Sequence, residues 1–417
     1  MFADLDLDWG APRALPRMAS VRQTFERREL EDPARHIAEQ IGALQPKAAG
    51  RIAVGVGSRG IPGIASIVGA VVEQLKRAGA EPFVFPAMGT HGAATADGQI
   101  EVLAALGVDE VSVGAPVRAT MDTKVVGQVR GLDVHVGAEA LDADGIVLVN
   151  RIKPHTHFHG RVESGLVKML AVGTGKRMSA STLHGNVPAD AFCGVLEEVA
   201  KTIVAATPFL FGVALVEDAY GHIADAEVLA GARMFDREPE LLEVARQMMG
   251  RLLFDRLDVL VIEEMGKDIS GAGFDALVAD RKQGAVRGAL APFIERIVVT
   301  RLTEASHGNA IGVGLVDVIT NRLFEAIDWK TTYTNVVGST VIEAGRLPVV
   351  APSERIAVDL ALRSLVGLAP ADARIVRIKN TLELDTVLAS EALLGEVDAH
   401  PRMERAGTLA EGVFGGA

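Results

Sequence analysis

One cysteine, Cys193, stands in 417 residues. That excludes an intrachain disulfide, a cysteine-ligated iron–sulfur cluster and a structural cysteine zinc site. The stretch around it, Ala191-Phe192-Cys193-Gly194-Val195-Leu196, reads as a buried helix face, where a lone thiol behaves as a small hydrophobe. Any metal must then be held by histidine, carboxylate or a non-protein ligand. Aromatics are scarce, at 4%, and no basic stripe is interleaved with them, so nucleic acid is not an expected partner. Basic residues are outnumbered, 42 against 54 acidic, for a formal charge of −12. A site for an anion must therefore be built locally, from an arginine or a loop of backbone N–H groups. Hydrophobic residues make up 49% of the chain, yet no apolar run reaches the ~18–20 residues that span a bilayer. The opening, Met1-Phe2-Ala3-Asp4-Leu5-Asp6, is acidic and lacks the basic-then-apolar order of a secretory signal. The expectation is a soluble cytoplasmic protein with no membrane partner.

What is present is a repeated strand, glycine-containing loop and helix. Ala, Val, Leu and Ile at short spacing suit parallel strands buried on both faces. Strands are predicted at Arg51-Ile52-Ala53-Val54-Gly55-Val56, Pro82-Phe83-Val84-Phe85 and Gly145-Ile146-Val147-Leu148-Val149-Asn150. Later ones are expected at 209–216, 258–262, 296–300 and 374–378, with helices over 64–78 and 238–249. The fold class is α/β, in two domains with mostly parallel sheets. The first is expected at 1–255 and the second at 256–417, with the break near the glycine-rich 255–275 segment.

In such folds sites gather at the carboxyl ends of strands, and three polar features fall there. Gly57-Ser58-Arg59-Gly60 can offer N–H groups, a hydroxyl and a guanidinium to an anion, though it is neither a Walker A loop nor a dinucleotide fingerprint. Gly89-Thr90-His91-Gly92 sets a histidine between glycines, where backbone and ligand can approach closely. Lys153-Pro154-His155-Thr156-His157-Phe158-His159-Gly160-Arg161-Val162 holds three of the ten histidines. Imidazole suits proton transfer near neutral pH and is the commonest metal ligand. If that segment is extended, His155, His157 and His159 share one side. Lys168 follows among apolar neighbours; it is either a lysine with a depressed pKa, able to act as a nucleophile, or one that snorkels to water. His184 is a further isolated histidine. Each loop, taken alone, also reads as an ordinary turn with a solvated side chain.

In order and spacing these residues resemble the nickel-dependent lactate racemase family. That family has a Thr-Arg pair on an early βα loop, a Gly-x-His loop about thirty residues on, and a Pro-His motif ahead of a Ser-Gly-Gly-x-Lys-like segment. A second histidine stands sixteen residues after the lysine. Ser58-Arg59, His91, Pro154-His155, Ser164-Gly165-Leu166-Val167-Lys168 and His184 occur here in that order, with sixteen residues from Lys168 to His184. Gly266-Lys267-Asp268-Ile269 echoes a Pro-Lys-Asp-Ile-Asn stretch of the family.

The resemblance implies an active site in a cleft between two α/β domains and a nickel-pincer nucleotide as cofactor. It implies covalent attachment of the cofactor at Lys168, nickel coordination by His184, acid/base roles for His91 and His155, and a carboxylate or phosphate grip by Arg59 beside Ser58. The chemistry is racemisation or epimerisation of a 2-hydroxy acid by reversible hydride transfer, which needs a base on each face of the reacting carbon. The chain departs from the family in three ways. Val56 replaces an aspartate, His157 rivals His155 for the second base by spacing, and Gly273 and Ala276 stand near the positions of a substrate-gripping Gln and Lys. These departures point to a 2-hydroxy acid other than lactate, with Asp280, Arg281 and Lys282 as replacement polar groups. A homo-oligomer is compatible with the sequence. Two other readings are a zinc-dependent hydrolase built on His155-Thr156-His157, and a non-catalytic protein that binds a nucleotide or organic anion through Arg59.

Overall fold

A computed structural model describes residues 8–281 and 292–414 and divides into two units, Arg27–Met249 and Met1–Glu26 with Gly250–Ala417. The first strand in the chain, β1 (Met18–Gln23), belongs to the second of these.

In the unit Arg27–Met249 the strands are β2 (Gly50–Val56), β3 (Ala80–Pro86), β4 (Thr123–Val129), β5 (Leu132–Gly137), β6 (Gly145–Arg151), β7 (Phe209–Glu217) and β8 (Ile223–Ala230). Five form a sheet in the order β3-β2-β6-β7-β8, parallel but for β8, while β4 and β5 make a separate hairpin. The helices are α1 (Pro33–Leu44), α2 (Ile64–Arg77), α3 (Ala96–Ala105), α4 (Glu110–Val113), α5 (Ala138–Leu141), α6 (Leu166–Lys168), α7 (Lys176–Asn186), α8 (Phe192–Ala206) and α9 (Arg233–Met248). The apolar run of β6 is continuous because both faces are covered. Ile146 and Leu148 pack with Phe85 and Leu170 on one face, and Val147 and Val149 with Val54 and Ile67 on the other.

The second unit adds β9 (Arg256–Met265), β10 (Phe293–Leu302), β11 (Val318–Thr320), β12 (Val349–Ala351), β13 (Ile375–Ile378), β14 (Thr386–Ser390) and β15 (Met403–Arg405). The sheet runs β12-β11-β10-β9-β13-β14-β1-β15. Strands β12 to β13 in that order are parallel, and β14, β1 and β15 are antiparallel.

The architecture is thus α/β with mostly parallel pairing, as the sequence predicts. The domain limits differ from 1–255 and 256–417. Strand β1 pairs with β14 and β15, which carries the first 26 residues into the second unit. The glycine-rich segment is no border either. It folds as a tight turn after β9, with the Gly266 N–H donating to Gly273 O at 2.7 Å.

Candidate functional site

Strands β3, β2 and β6 are neighbours, so the loops that follow them open at one end of one sheet. Ser58 and Arg59 follow β2, His91 follows β3, and His155 and His157 follow β6. Lys168 and His184 come from the same unit.

The histidine loop closes where Lys153 and Ser164 exchange backbone hydrogen bonds of 2.8 and 3.1 Å. Inside the loop lies Glu163, whose side chain is fully buried. Its Oε2 accepts the His155 N–H (2.6 Å), and its Oε1 accepts the Gly160 N–H (3.2 Å) and Arg246 Nη2 (2.6 Å). His159 Nδ1 lies 2.8 Å from the same Oε1. The loop curls around this carboxylate instead of running extended, so the three histidines do not share a side. The His159 side chain is 51% exposed, while His155 stacks on Phe158 at 4.1 Å and points Nε2 at Lys168 Nζ, 2.5 Å away.

Lys168 ends the short helix α6, and a buried carboxylate caps the start of that helix. Glu238 on α9 accepts the Val167 N–H at 3.0 Å. Burial pushes the Glu238 carboxyl up to about 8, against the opposing pull of the Val167 and Leu166 N–H groups. Asn150 at the end of β6 donates to Gly165 O at 2.9 Å. A π-helical turn, Met169–Gly173, follows the lysine, a form often found at functional sites. Burial first, and then the Arg59 charge, lower the Lys168 ammonium to about 7. Lys168 is therefore the desolvated amine of the two readings drawn from sequence, and its Nζ lies 5.3 Å from the centre of the Phe158 ring.

His184 on α7 stacks on Phe192 at 4.9 Å. Burial, then Lys168 and His157, lower it to about 4, which leaves a neutral imidazole with a lone pair. His155 is driven well below its ordinary value by burial, then by Lys168, His157, His184 and Arg59. Burial and Arg151 lower Arg59 to about 10. Arg59, His155, His157, Lys168 and His184 thus share one electrostatic neighbourhood. His91 enters through its loop, since the Gly89 N–H donates to Gly173 O at 3.2 Å and so ties the loop to the turn after Lys168. Gly92 holds φ +63°, and a Cβ there would stand 2.4 Å from the Gly98 backbone, so the tight turn beside His91 requires glycine.

His155 has no nitrogen left for a zinc ion in this arrangement. Its Nδ1 accepts the His157 N–H at 3.0 Å, and its Nε2 meets Lys168. Among the described residues no three His, Cys, Asp or Glu side chains are grouped to hold a metal. Cys193 is buried, and burial, then Glu163 and Glu197, push its thiol up to about 11, as suits an inert packing residue. Arg281 is engaged in its own unit with Leu315 O, Ile294 O and Asp317, and Asp280 accepts the Ile294 N–H. Lys282 lies outside the described residues.

Sequence reasoning missed Glu163 and Glu238. The signal for Glu238 was present, since it shares the buried stripe Met234, Phe235, Leu241, Leu242 and Ala245 of α9. Glu163 carries no such pattern, because its partners are backbone N–H groups of a curled loop.

A family described as "Domain of unknown function (DUF362)" matches residues 62–235. No curated protein matches the chain. Among solved structures, the chain is similar to the lactate racemase apoprotein from Thermoanaerobacterium thermosaccharolyticum. The TM-score is 0.54 at 12% identity, over 87% of this chain and 94% of that one. At that identity the likeness is one of fold. No helix among the described residues is long and apolar enough to cross a membrane.

Proposed function

We propose that this protein is a racemase or epimerase of a 2-hydroxy acid that works with a nickel-pincer nucleotide. The observation that carries the reading is the contact between the Lys168 amine and His155, with His184 and Arg59 in the same charged neighbourhood. The fold shared with a lactate racemase apoprotein supports it.

The residues fit the cofactor. An amine lowered to about 7 is a nucleophile at neutral pH and suits covalent attachment. A neutral His184 offers one lone pair to nickel. A metal that brings most of its ligands on an organic group needs no cluster of protein ligands, in keeping with the lack of one among the described residues. When bound, the group supplies a hydride acceptor, which spares the enzyme an unstable carbanion at C2.

The chain's own residues supply the rest. Arg59 grips the substrate carboxylate or a cofactor phosphate. His155 serves as the acid/base for one face of the reacting carbon, and His91 for the opposite face. The low pKa of His155 keeps its imidazole uncharged at pH 7. The substrate is a 2-hydroxy acid other than lactate.

The test is inversion of C2 across a panel of 2-hydroxy acids, using protein from a host that builds the cofactor. Metal analysis should find nickel, and the intact mass should show a lysine adduct absent from Lys168→Arg. His91→Ala and His155→Ala should each abolish inversion, and full turnover in both would defeat the two-base mechanism. Tight binding of a nucleotide with no inversion of any acid would favour the non-catalytic reading.

A further inference from the structure

One lysine among the described residues is buried outright, and the chemistry above does not use it. Lys176 begins α7, the helix that carries His184. Its Nζ donates to Pro86 O at the end of β3 (2.6 Å) and to Gln99 Oε1 on α3 (3.2 Å), and pairs with Glu139 Oε1 on α5 (2.7 Å). The ammonium thus donates hydrogen bonds to β3 and α3 and holds an ion pair with α5. The face of Phe85 adds a cation–π contact at 5.6 Å. Burial pulls the ammonium's pKa down, and Glu139 opposes that.

Gln99 is buried as well, and its amide nitrogen faces the other way. It donates to Gly89 O at 2.9 Å and to His91 O at 3.3 Å. An unbroken line of hydrogen bonds therefore runs from the His91 backbone through Gln99 and Lys176 into the helix of His184. Lys176 holds a left-handed backbone, φ +53°, which non-glycine residues seldom adopt unless their surroundings impose it.

We infer that Lys176 and Gln99 form an internal strut that sets the His91 loop against the helix of His184, and that both are positioning residues. A hydrophobic residue at 176 could fill the space but could not donate to Pro86 O and Gln99 Oε1 or neutralise Glu139. The catalytic part of this inference rests on the racemase reading, whereas the strut itself does not.

Two full-length variants test it. Gln99→Leu cuts the arm to His91 and leaves the ion pair intact. The double variant Lys176→Met with Glu139→Gln removes both buried charges together, because Lys176→Met alone would strand a carboxylate and could fail to fold. Amide hydrogen exchange is read by mass spectrometry without substrate, beside thermal melts. Both variants should melt cooperatively and exchange the 88–95 segment about tenfold faster, with β6 unchanged. In holoenzyme that inverts a 2-hydroxy acid, kcat should fall while KM holds, because misplaced bases slow the chemistry and not the binding. Unchanged exchange across 88–95 in both folded variants would overturn the strut. Faster exchange in an enzyme that inverts no acid would retain the strut and remove the racemase reading. Faster exchange with an undiminished kcat would remove the positioning role.

Discussion

The Nε2 atom of His155 lies 2.5 Å from the Nζ atom of Lys168, while the Nδ1 atom of the same ring accepts the His157 N–H. A neutral imidazole carries one proton. With Nδ1 accepting, that proton sits on Nε2, so Lys168 must receive it on a lone pair. The depressed pKa values act in the same direction as this hydrogen-bond pattern, toward an uncharged amine facing an uncharged imidazole.

Lys168 should therefore react as a free amine near neutrality. Competitive labelling with acetic anhydride, followed by mass spectrometry, should show Lys168 modification rising with a midpoint near pH 7. An ordinary lysine has its midpoint at roughly 10.4. A midpoint for Lys168 in that ordinary range would contradict the uncharged pair.

Glu238 should leave a signature in stability against pH. Its folded value of about 8 lies above the ordinary carboxyl value, so the folded state holds a proton that the unfolded state releases. Its contribution is complete at acid pH below the unfolded value, roughly 4.3, and is lost as pH rises toward 8. Urea midpoints of Glu238→Gln should fall less than wild type between pH 5 and pH 8. Parallel curves for the two proteins would show that the carboxyl titrates normally.

Gly165 has no room for a side chain. A Cβ there would stand 2.2 Å from Glu238 Oε1 and 2.6 Å from its carboxyl carbon. Gly165→Ala should cost about 1–3 kcal/mol and blunt the labelling of Lys168 by shifting α6. Because both side chains claim one space, Gly165→Ala combined with Glu238→Ala should destabilise by less than the sum of the two. Chemical denaturation of the four proteins measures this, and strict additivity would refute the clash.

Removing the charge of Glu163 should loosen the histidine loop. Glu163→Gln weakens the contacts with Arg246 and the two backbone N–H groups, a loss of about 1–3 kcal/mol. Arg161 is exposed on that loop, so limited trypsin digestion should cut after it faster in the variant. Equal cleavage rates would mean that the loop is held by something else.

Much of the first unit was legible in local pattern. The apolar runs of β2, β3 and β6, each followed by a glycine-bearing loop, specify strands buried on both faces, since only that setting tolerates so few polar residues. The polar residues after those runs fall at the same sheet end in the structure, as βαβ logic requires. The hairpin of β4 and β5 went unseen, because β4 is largely exposed and β5 breaks its short buried stretch with His135, so neither offers a continuous apolar run.

The amino-acid order alone marked strands β2, β3 and β6 and the loops after them that carry Arg59, His91 and His155 to one end of a sheet, because burial imposes its period on neighbouring residues. Tertiary structure alone decided that β1 joins strands from the far end of the chain, that His155 and not His159 faces Lys168, and that Glu163, Glu238 and Lys176 are buried. A charged side chain enters the interior only when partners from distant segments meet it there, and no local spacing records where those partners will be.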